Sequence, residues 1–184
     1  MILFVGLGNP TPDSKNNRHN IGFKIIDAIN QKFSLSKQKP KFKGLLTMGN
    51  INDKKVYAIK PLTFMNNSGT CIRELIEYFK INSSDIIVFH DDLDIEFGKI
   101  KTKFGGSDAG HNGIASLDKF IGKDYSRVRI GIGKPEKIKV NDFVLTDFNE
   151  EEKIKLDEIS TKIISSLELL IEKKLDLFTS KINN

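Results

Sequence analysis

The three histidines of the chain are its clearest candidates for proton chemistry. His19, His90 and His111 each stand beside Asp or Asn, in the segments RHN, HDD and HN, near a predicted strand end or helix start. A histidine with an ordinary pKa of about 6.5 can take a proton from water near neutral pH. Asp91, predicted at a strand terminus, is well placed to orient such a ring and stabilise its positive charge. Taken singly, each histidine is equally typical of a helix cap or a hydrogen-bonded buried side chain.

A metal site is the alternative chemistry for the same residues. The segment HDDLD offers His90, Asp91 and Asp94 as ligands. No H-x-x-x-H or C-x-x-C spacing supports such a site, so further ligands would have to come from distant parts of the chain. No G-x-S-x-G motif marks a nucleophilic serine, which leaves a water activated by histidine as the simpler hypothesis.

Three asparagines could serve the same reaction as hydrogen-bond donors. Asn9, Asn66 and Asn112 each place a side-chain amide at a predicted loop or helix start. Such an amide can hold a carbonyl group or the oxyanion that develops from it. Each asparagine alone is more typical of a turn or a cap, so the hypothesis requires that they lie close to His19 and Asp91.

Hydrophobic periodicity predicts the elements that must position these residues. We predict strands at 1–5, 45–48, 56–59, 85–89, 100–104 and 126–132. We predict helices at 21–33 and 114–121, one ending near Phe79, and a single final helix that runs from a capping box of Asn149 and Glu152 through Ile154 to Ile171. Residues 34–43 and 134–148 are predicted connecting segments. The pattern predicts an α/β fold: a single three-layer domain over 1–184, with a twisted, mixed, mostly parallel sheet and helices on both faces.

Composition favours a globular protein of the cytoplasm. The chain has 184 residues, of which 39% are hydrophobic and 29% charged, enough for one domain with a full core. No apolar run approaches the roughly 18 residues that a membrane helix needs. The lone cysteine, Cys71, allows no internal disulfide and is expected to be a small buried residue. We expect no membrane partner and take a monomer as the default.

Positive charge is clustered along the chain rather than spread evenly. The net charge is +5, and residues 97–139 carry ten Lys or Arg against four Asp or Glu. Residues 31–52 carry five lysines and no acid. Clusters of this kind are expected for a protein that binds a polyanion, although any single lysine is more typical of a solvated surface.

Six motifs give these residues a common context. GLGNP, RHNIG, PLTFMNNSG, HDDLD, GGSDAGHNG and RVRIGIG occur in this order and cover most of residues 1–133. Together they resemble the motifs of the bacterial peptidyl-tRNA hydrolase family. The resemblance implies hydrolysis of the ester between a nascent peptide and the terminal ribose of tRNA, which recycles stalled tRNA. It implies peptidyl-tRNA as partner and substrate, and neither a metal nor a cofactor.

The resemblance also implies a role for each matching residue. The catalytic base falls on His19, and the carboxylate that orients it falls on Asp91. His111 would support the site, and Met65 would line the peptide groove. The residues implied to contact the peptide and the tRNA 3′ end are Asn9, Asn66 and Asn112, and those implied to bind tRNA phosphate are Lys101, Lys103 and Arg129.

The sequence departs from the family pattern inside the first loop. Thr11 stands where the family usually has Gly, Ser14 replaces an aromatic residue, and Asn17 replaces Thr. The loop from Asn9 to His19 keeps its length, so we expect weaker substrate binding rather than a loss of chemistry. A non-catalytic RNA-binding protein on the same fold is the second functional hypothesis, although such a protein would not need a base and a carboxylate.

Overall fold

A seven-stranded sheet forms the middle layer of the computed structural model, which describes all residues from Met1 to Asn184. The strand order is β2-β3-β4-β1-β5-β7-β6. The four central strands run parallel, and antiparallel neighbours complete both edges. The predicted mixed sheet with a parallel centre is therefore confirmed. The strands are β1 (Ile2–Gly6), β2 (Lys39–Lys41), β3 (Gly44–Ile51), β4 (Lys54–Pro61), β5 (Ile86–Asp92), β6 (Ile100–Phe104) and β7 (Ser126–Gly131).

Helices cover both faces of this sheet and bury two separate apolar clusters. Because neighbouring side chains of a strand point to opposite faces, Ile2 and Phe4 of β1 enter one cluster, while Leu3 and Val5 enter the other. None of the helices combines the length and the apolar character that crossing a bilayer demands. Helices α1 (Ile21–Lys32), α5 (Glu150–Ser165), α6 (Leu167–Ile171) and α7 (Leu175–Asn183) pack on the first face, α2 (Ser68–Phe79) and α3 (Asn112–Ile121) pack on the second, and α4 (Val140–Phe143) is a single turn.

The cysteine behaves as a core residue. Cys71 is fully buried in α2, in the second cluster. Burial, with a smaller contribution from the charge of Glu74, raises the pKa of its thiol to about 12. The thiol is therefore protonated at neutral pH and unreactive, as expected from its place in the sequence.

Two sequence-based boundaries are wrong, and the first of them affects the site. Strand β5 does not end at Phe89 but continues through Asp92, because β7 pairs with it from Ile87 to Asp92. His90 therefore lies inside a strand and not in a loop. The segment 34–43, predicted as a connector, contains the exposed edge strand β2, which pairs with β3.

The predicted single C-terminal helix is three helices. Its capping box is confirmed, since Asn149 and Glu152 each accept from the other's backbone N–H. The buried face of α5 is Leu156, Ile159 and Ile163, whereas Ile154 points to solvent with 64% exposure. The helix α5 ends at Ser165. A second interruption follows α6 near Lys173, whose left-handed φ of 61° does not continue a helix. These turns let α6 and α7 fold back onto the sheet.

Candidate active site

Two glycines bring the first helix close enough to the sheet to form a site at the carboxyl ends of β1 and β5. A Cβ on Gly6 would lie 2.3 Å from the carbonyl oxygen of Gly22, and a Cβ on Gly22 would lie 2.4 Å from the carbonyl oxygen of Phe89. Only glycine allows backbones to approach so closely. The short 3-10 turn Arg18–Asn20, which precedes α1, is thereby held beside the end of β5.

His19 and Asp91 form the central pair of this site. The Nδ1 atom of His19 lies 3.0 Å from Oδ1 and 2.9 Å from Oδ2 of Asp91. Burial by itself would raise the pKa of Asp91, but the charges and N–H groups of His111 and His19 outweigh it and hold that pKa well below its ordinary value. The carboxylate is therefore ionised and accepts a hydrogen bond from the N–H at Nδ1 of His19. The second ring nitrogen, Nε2, is then left with a free lone pair.

His111 is a helix cap and also a second donor to the same carboxylate. Its Nδ1 accepts from the backbone N–H groups of Gly113 and Ile114, at 3.1 and 3.3 Å. Because Nδ1 accepts, the ring proton lies on Nε2, which is 2.9 Å from Oδ1 of Asp91. The two rings stand 4.8 Å apart between centroids. Asp91 thus receives one donor from each histidine.

His90 lies behind these residues with one polar atom unpaired. Its Nδ1 is 2.8 Å from the carbonyl oxygen of Asp91, so Nδ1 donates and Nε2 is a buried acceptor without a partner. Burial, followed by the charge that His111 carries when protonated, lowers the pKa of His90 from 6.5 to about 3. The side chain is therefore neutral in the folded protein at all but strongly acidic pH.

This lowered pKa predicts an acid-sensitive stability. An unfolded histidine takes up a proton near pH 6.5 and the folded one does not, so the free energy of unfolding falls as pH drops below 6.5. Between pH 7 and pH 5 the loss assigned to His90 is about 2 kcal/mol. Urea unfolding at pH 7 and pH 5 measures this fall in the free energy of unfolding. The fall should be smaller by about 2 kcal/mol in His90→Asn than in wild type, because the asparagine does not titrate while its amide can still donate to the carbonyl of Asp91. An equal loss in both proteins would contradict the assignment.

The asparagine predicted for the first loop is held rigidly. The backbone N–H of Asn9 donates to Oδ1 of Asn20 at 2.8 Å, and Nδ2 of Asn20 donates to the carbonyl of Asn9 at 2.9 Å. Oδ1 of Asn9 in turn accepts from the backbone N–H of Met65 at 2.8 Å. These bonds leave the Nδ2 group of Asn9 free as a donor. Asn20, which the sequence analysis did not select, is recognisable only through this reciprocal pairing.

The other predicted substrate residues lie on the two helix starts beside this loop. Met65 is buried, with its Sδ next to Gly113, where a Cβ would come within 2.5 Å. Asn112 opens α3, is exposed, and lines the same cleft as His19 and His111. Asn66 is exposed in the 3-10 turn Met65–Asn67, outside that cleft. The structure therefore brings Asn112 to the histidines directly, and Asn66 only to their neighbourhood.

The cleft over the histidines has a wall that the sequence analysis treated as a connector. Residues 140–148, here called the strap, contribute Val140, Asn141 and Val144 to the lining of this cleft. The backbone N–H of His19 donates to the carbonyl of Val144 at 2.8 Å. The strap therefore contacts the candidate base itself. The short apolar piece at 143–145 was the only sequence signal of this packing.

The departures from the family pattern leave the turn that carries His19 intact. The hydroxyls of Thr11 and Ser14 are hydrogen-bonded to each other at 2.7 Å and close the short turn Pro12–Ser14. Asn17 is buried and its backbone bridges to Asp147 of the strap. Weaker substrate binding through these three residues stays a prediction.

The cationic residues predicted for phosphate lie on one face of the β6–β7 pair. Lys101 is directly opposite Arg129 in the ladder, and Lys103 is opposite Arg127. The two lysines are exposed, while Arg129 donates to Asp92 at 2.9 Å. Lys103 and Arg129 line a small cavity that His90 also lines. Arg127 is buried, and its guanidinium donates hydrogen bonds to Asp118 and to two loop carbonyls.

The ligand set considered for a metal is not brought together. Asp94 is exposed and pairs with Lys134 at 2.9 Å, while Nδ1 of His90 is occupied by a backbone carbonyl. Ligand-type atoms do lie within 4.8 Å of one another in His19, Asp91 and His111. In that set, hydrogen bonds already join both histidines to the carboxylate, so the three side chains satisfy one another without an ion.

Comparisons with known proteins agree with this geometry. The family model described as peptidyl-tRNA hydrolase matches residues 3–184. The peptidyl-tRNA hydrolase of Pelagibacter ubique (strain HTCC1062) is 76% identical over 185 residues, which cover 100% of both chains. That of Bacillus subtilis (strain 168) is 41% identical, covering 94% of this chain and 93% of the relative. The crystal structure of the peptidyl-tRNA hydrolase from Acinetobacter baumannii superposes with a TM-score of 0.92 at 34% identity, covering 100% of this chain and 94% of the other.

Proposed function

Because the chain belongs to the peptidyl-tRNA hydrolase family and hydrolyses the ester that joins a peptide to tRNA, we propose that His19 is the base of this reaction and that Asp91 orients it. The observation that carries the proposal is the bond from Nδ1 of His19 to the buried Asp91 carboxylate. This bond fixes the tautomer in which Nε2 can accept a proton. His19 also lines the cleft whose other wall is the strap.

The chemical steps follow from this pair. Nε2 of His19 takes a proton from a water molecule, and the resulting hydroxide attacks the ester carbonyl carbon. The bond from that carbon to the ribose oxygen then breaks, and the ribose oxygen takes the proton back from His19. Asp91 stabilises the imidazolium between the two proton transfers. His111, which shares Asp91, keeps the carboxylate in place.

The asparagines supply donors for the charge that develops on the carbonyl oxygen. Asn9 is suited to this role because Asn20 fixes its backbone and the N–H of Met65 fixes its Oδ1, which leaves Nδ2 as a preorganised donor. Asn112 lines the cleft over the histidines with its side chain exposed, whereas Asn9 lines the neighbouring pocket together with Asn20. Met65 and Asn66, on the adjoining turn, are proposed to contact the peptide and the tRNA 3′ end.

The phosphate of the acceptor end is proposed to lie against Lys101, Lys103 and Arg129. The supporting observation is that the two lysines are exposed and share one face with Arg129. Contacts of this kind release counterions, so substrate affinity should fall as salt rises.

Removing two of these charges should change the salt dependence. In Lys101→Ala/Lys103→Ala we expect a higher KM, and a plot of log kcat/KM against log salt that is shallower by about 1 per lysine. Steady-state rates at several salt concentrations measure this slope. The control is Lys54→Ala/Lys55→Ala, which removes two exposed lysines from the β3–β4 hairpin. If both double variants gave the wild-type slope, the phosphate assignment would be wrong.

The activity is tested by release of free tRNA from an N-acetylated aminoacyl-tRNA. Chelator-resistant release that disappears in His19→Ala supports a base that needs no metal. Release that is lost on adding chelator would instead assign the chemistry to an ion at His19, Asp91 and His111. Binding without release would indicate an RNA-binding protein.

We also propose that the protein acts as a monomer in the cytoplasm. The supporting observations are that one chain supplies His19, Asp91 and His111, and that the only cysteine is a free, buried thiol. Light scattering coupled to size exclusion tests the first point, and cell fractionation tests the second.

A further inference from the structure

Arg18, the residue before the candidate base, makes an unusually complete set of contacts. Its Nη1 and Nη2 donate to the two carboxylate oxygens of Glu152, at 2.7 and 3.1 Å, although the two residues are 134 positions apart in sequence. Its Nε donates to the hydroxyl of Thr146 at 3.0 Å. A two-point pairing of this kind fixes the direction of a guanidinium as well as its position.

Aromatic rings enclose the same guanidinium. Its central carbon lies 4.6 Å from the ring centroid of Phe143 and 5.0 Å from that of Phe148. Only 11% of the Arg18 side chain and 19% of the Glu152 side chain are exposed. Burial by itself would raise the pKa of the Glu152 carboxyl, but the hydrogen bond from Arg18, the backbone N–H of Asn149 and the charge of Arg18 together outweigh it and lower that pKa. The ion pair is thus charged and shielded from water.

The backbone adds a second connection between the same two segments. The N–H groups of Arg18 and His19 donate to the carbonyls of Thr146 and Val144, at 3.0 and 2.8 Å. Phe143, Val144, Thr146 and Phe148 all belong to the strap, which forms one wall of the cleft. The turn that carries His19 is therefore fastened to the strap at one place, and Arg18 joins both to Glu152 at the start of α5.

We propose that Arg18 is a positioning residue that sets the place of His19 relative to Asp91 and to the strap wall of the cleft. This inference rests on the proposed role of His19 as the base. Arg18 touches no reacting atom in this account. Its effect is on the fraction of molecules in which His19 stands at the right distance from its carboxylate and from the bound ester, and a displacement of 1 Å can reduce a rate about 100-fold.

Arg18→Met and Glu152→Gln test the proposal from both sides of the ion pair. Methionine keeps an apolar stem between Phe143 and Phe148 but removes every donor. Glutamine removes the charge of Glu152 while its side-chain oxygen can still close the capping box with Asn149. We expect kcat to fall by about 10- to 100-fold in Arg18→Met with KM changed less than threefold, and Arg18→Lys to recover part of the loss. The effect of Arg18→Met should be smaller in the Glu152→Gln background, because the two residues act as one unit.

The matched control is Arg73→Met, which breaks an exposed ion pair with Glu77 on α2 and should leave kcat unchanged. A lower melting temperature with kcat within twofold of wild type, in Arg18→Met and Glu152→Gln alike, would overturn the proposal and leave a purely structural ion pair. A raised KM with unchanged kcat would overturn it as well. His19→Ala, measured in parallel, separates the role of His19 as base from the role of Arg18 in positioning it. If His19→Ala keeps turnover, the base assignment is wrong. If His19→Ala loses turnover and the Arg18 variants keep it, only the positioning role is wrong.

Discussion

Replacing His19 by alanine is expected to lower kcat for release of tRNA by about 10²- to 10⁴-fold. The reason is that Nε2 of His19 is the proton acceptor that the bond to Asp91 leaves free. The lysines on β6 and the cleft wall remain in place, so KM should change little. Steady-state release from an N-acetylated aminoacyl-tRNA gives kcat and KM, and the melting temperature measured alongside shows that the variant is folded.

His19→Asn distinguishes loss of the base from loss of local structure. The asparagine amide can still donate to Asp91, as Nδ1 of His19 does, but it has no nitrogen that accepts a proton. We therefore expect turnover as low as in alanine, with stability closer to wild type. Turnover above one tenth of wild type in either variant would contradict the base assignment.

The parts of the fold that depend on local pattern could be predicted from the sequence. The period-2 and apolar runs locate β1, β5 and β7, and the pairing of Asn149 with Glu152 locates the start of α5. Local pattern does not tell where a helix must turn back. The apolar residues from Ile154 to Ile171 fit one continuous helix, but tertiary packing on the sheet selects Leu156, Ile159 and Ile163, and exposes Ile154. The sequence pattern also predicts too short a β5, because pairing with β7 extends this strand through polar residues.

The members of the candidate site could be selected from the sequence, but not their division of work. His19, Asp91 and His111 are separated by 72 and 20 positions, and the structure joins them through one carboxylate. Which nitrogen of His111 holds the proton follows only from the backbone N–H groups of α3 that its Nδ1 caps. His90 looked equivalent to the other two in its sequence context, yet it is buried within β5 and donates only to a backbone carbonyl. The pairing of Arg18 with Glu152 has no local signal because it is purely tertiary: the capping box locates Glu152 but not its partner.

Asp91→Asn is expected to lower kcat by about 10²- to 10⁴-fold while leaving the fold intact. The carboxylate accepts one N–H from His19 and one from His111. An asparagine has one oxygen and an NH₂ group, so it can accept from one histidine but presents a donor to the other. If that other ring is His19, its proton moves to Nε2 and the base is lost. In either orientation the negative charge that stabilises the imidazolium is gone.

The same substitution makes a separable prediction for stability. Because the folded pKa of Asp91 lies below its ordinary value of 3.8, the carboxylate contributes stability that is fully present at neutral pH and declines as pH falls below about 4. The free energy of unfolding should therefore be lower in Asp91→Asn than in wild type at pH 7, and the difference should narrow towards pH 3. Urea unfolding at both pH values measures this. The value of kcat is measured only at neutral pH, where both proteins are folded. If Asp91→Asn is inactive there, and its difference in free energy of unfolding from wild type narrows towards pH 3, the orienting role of Asp91 depends on its charge. A gap that stays constant with pH would assign the lost activity to misplaced side chains instead.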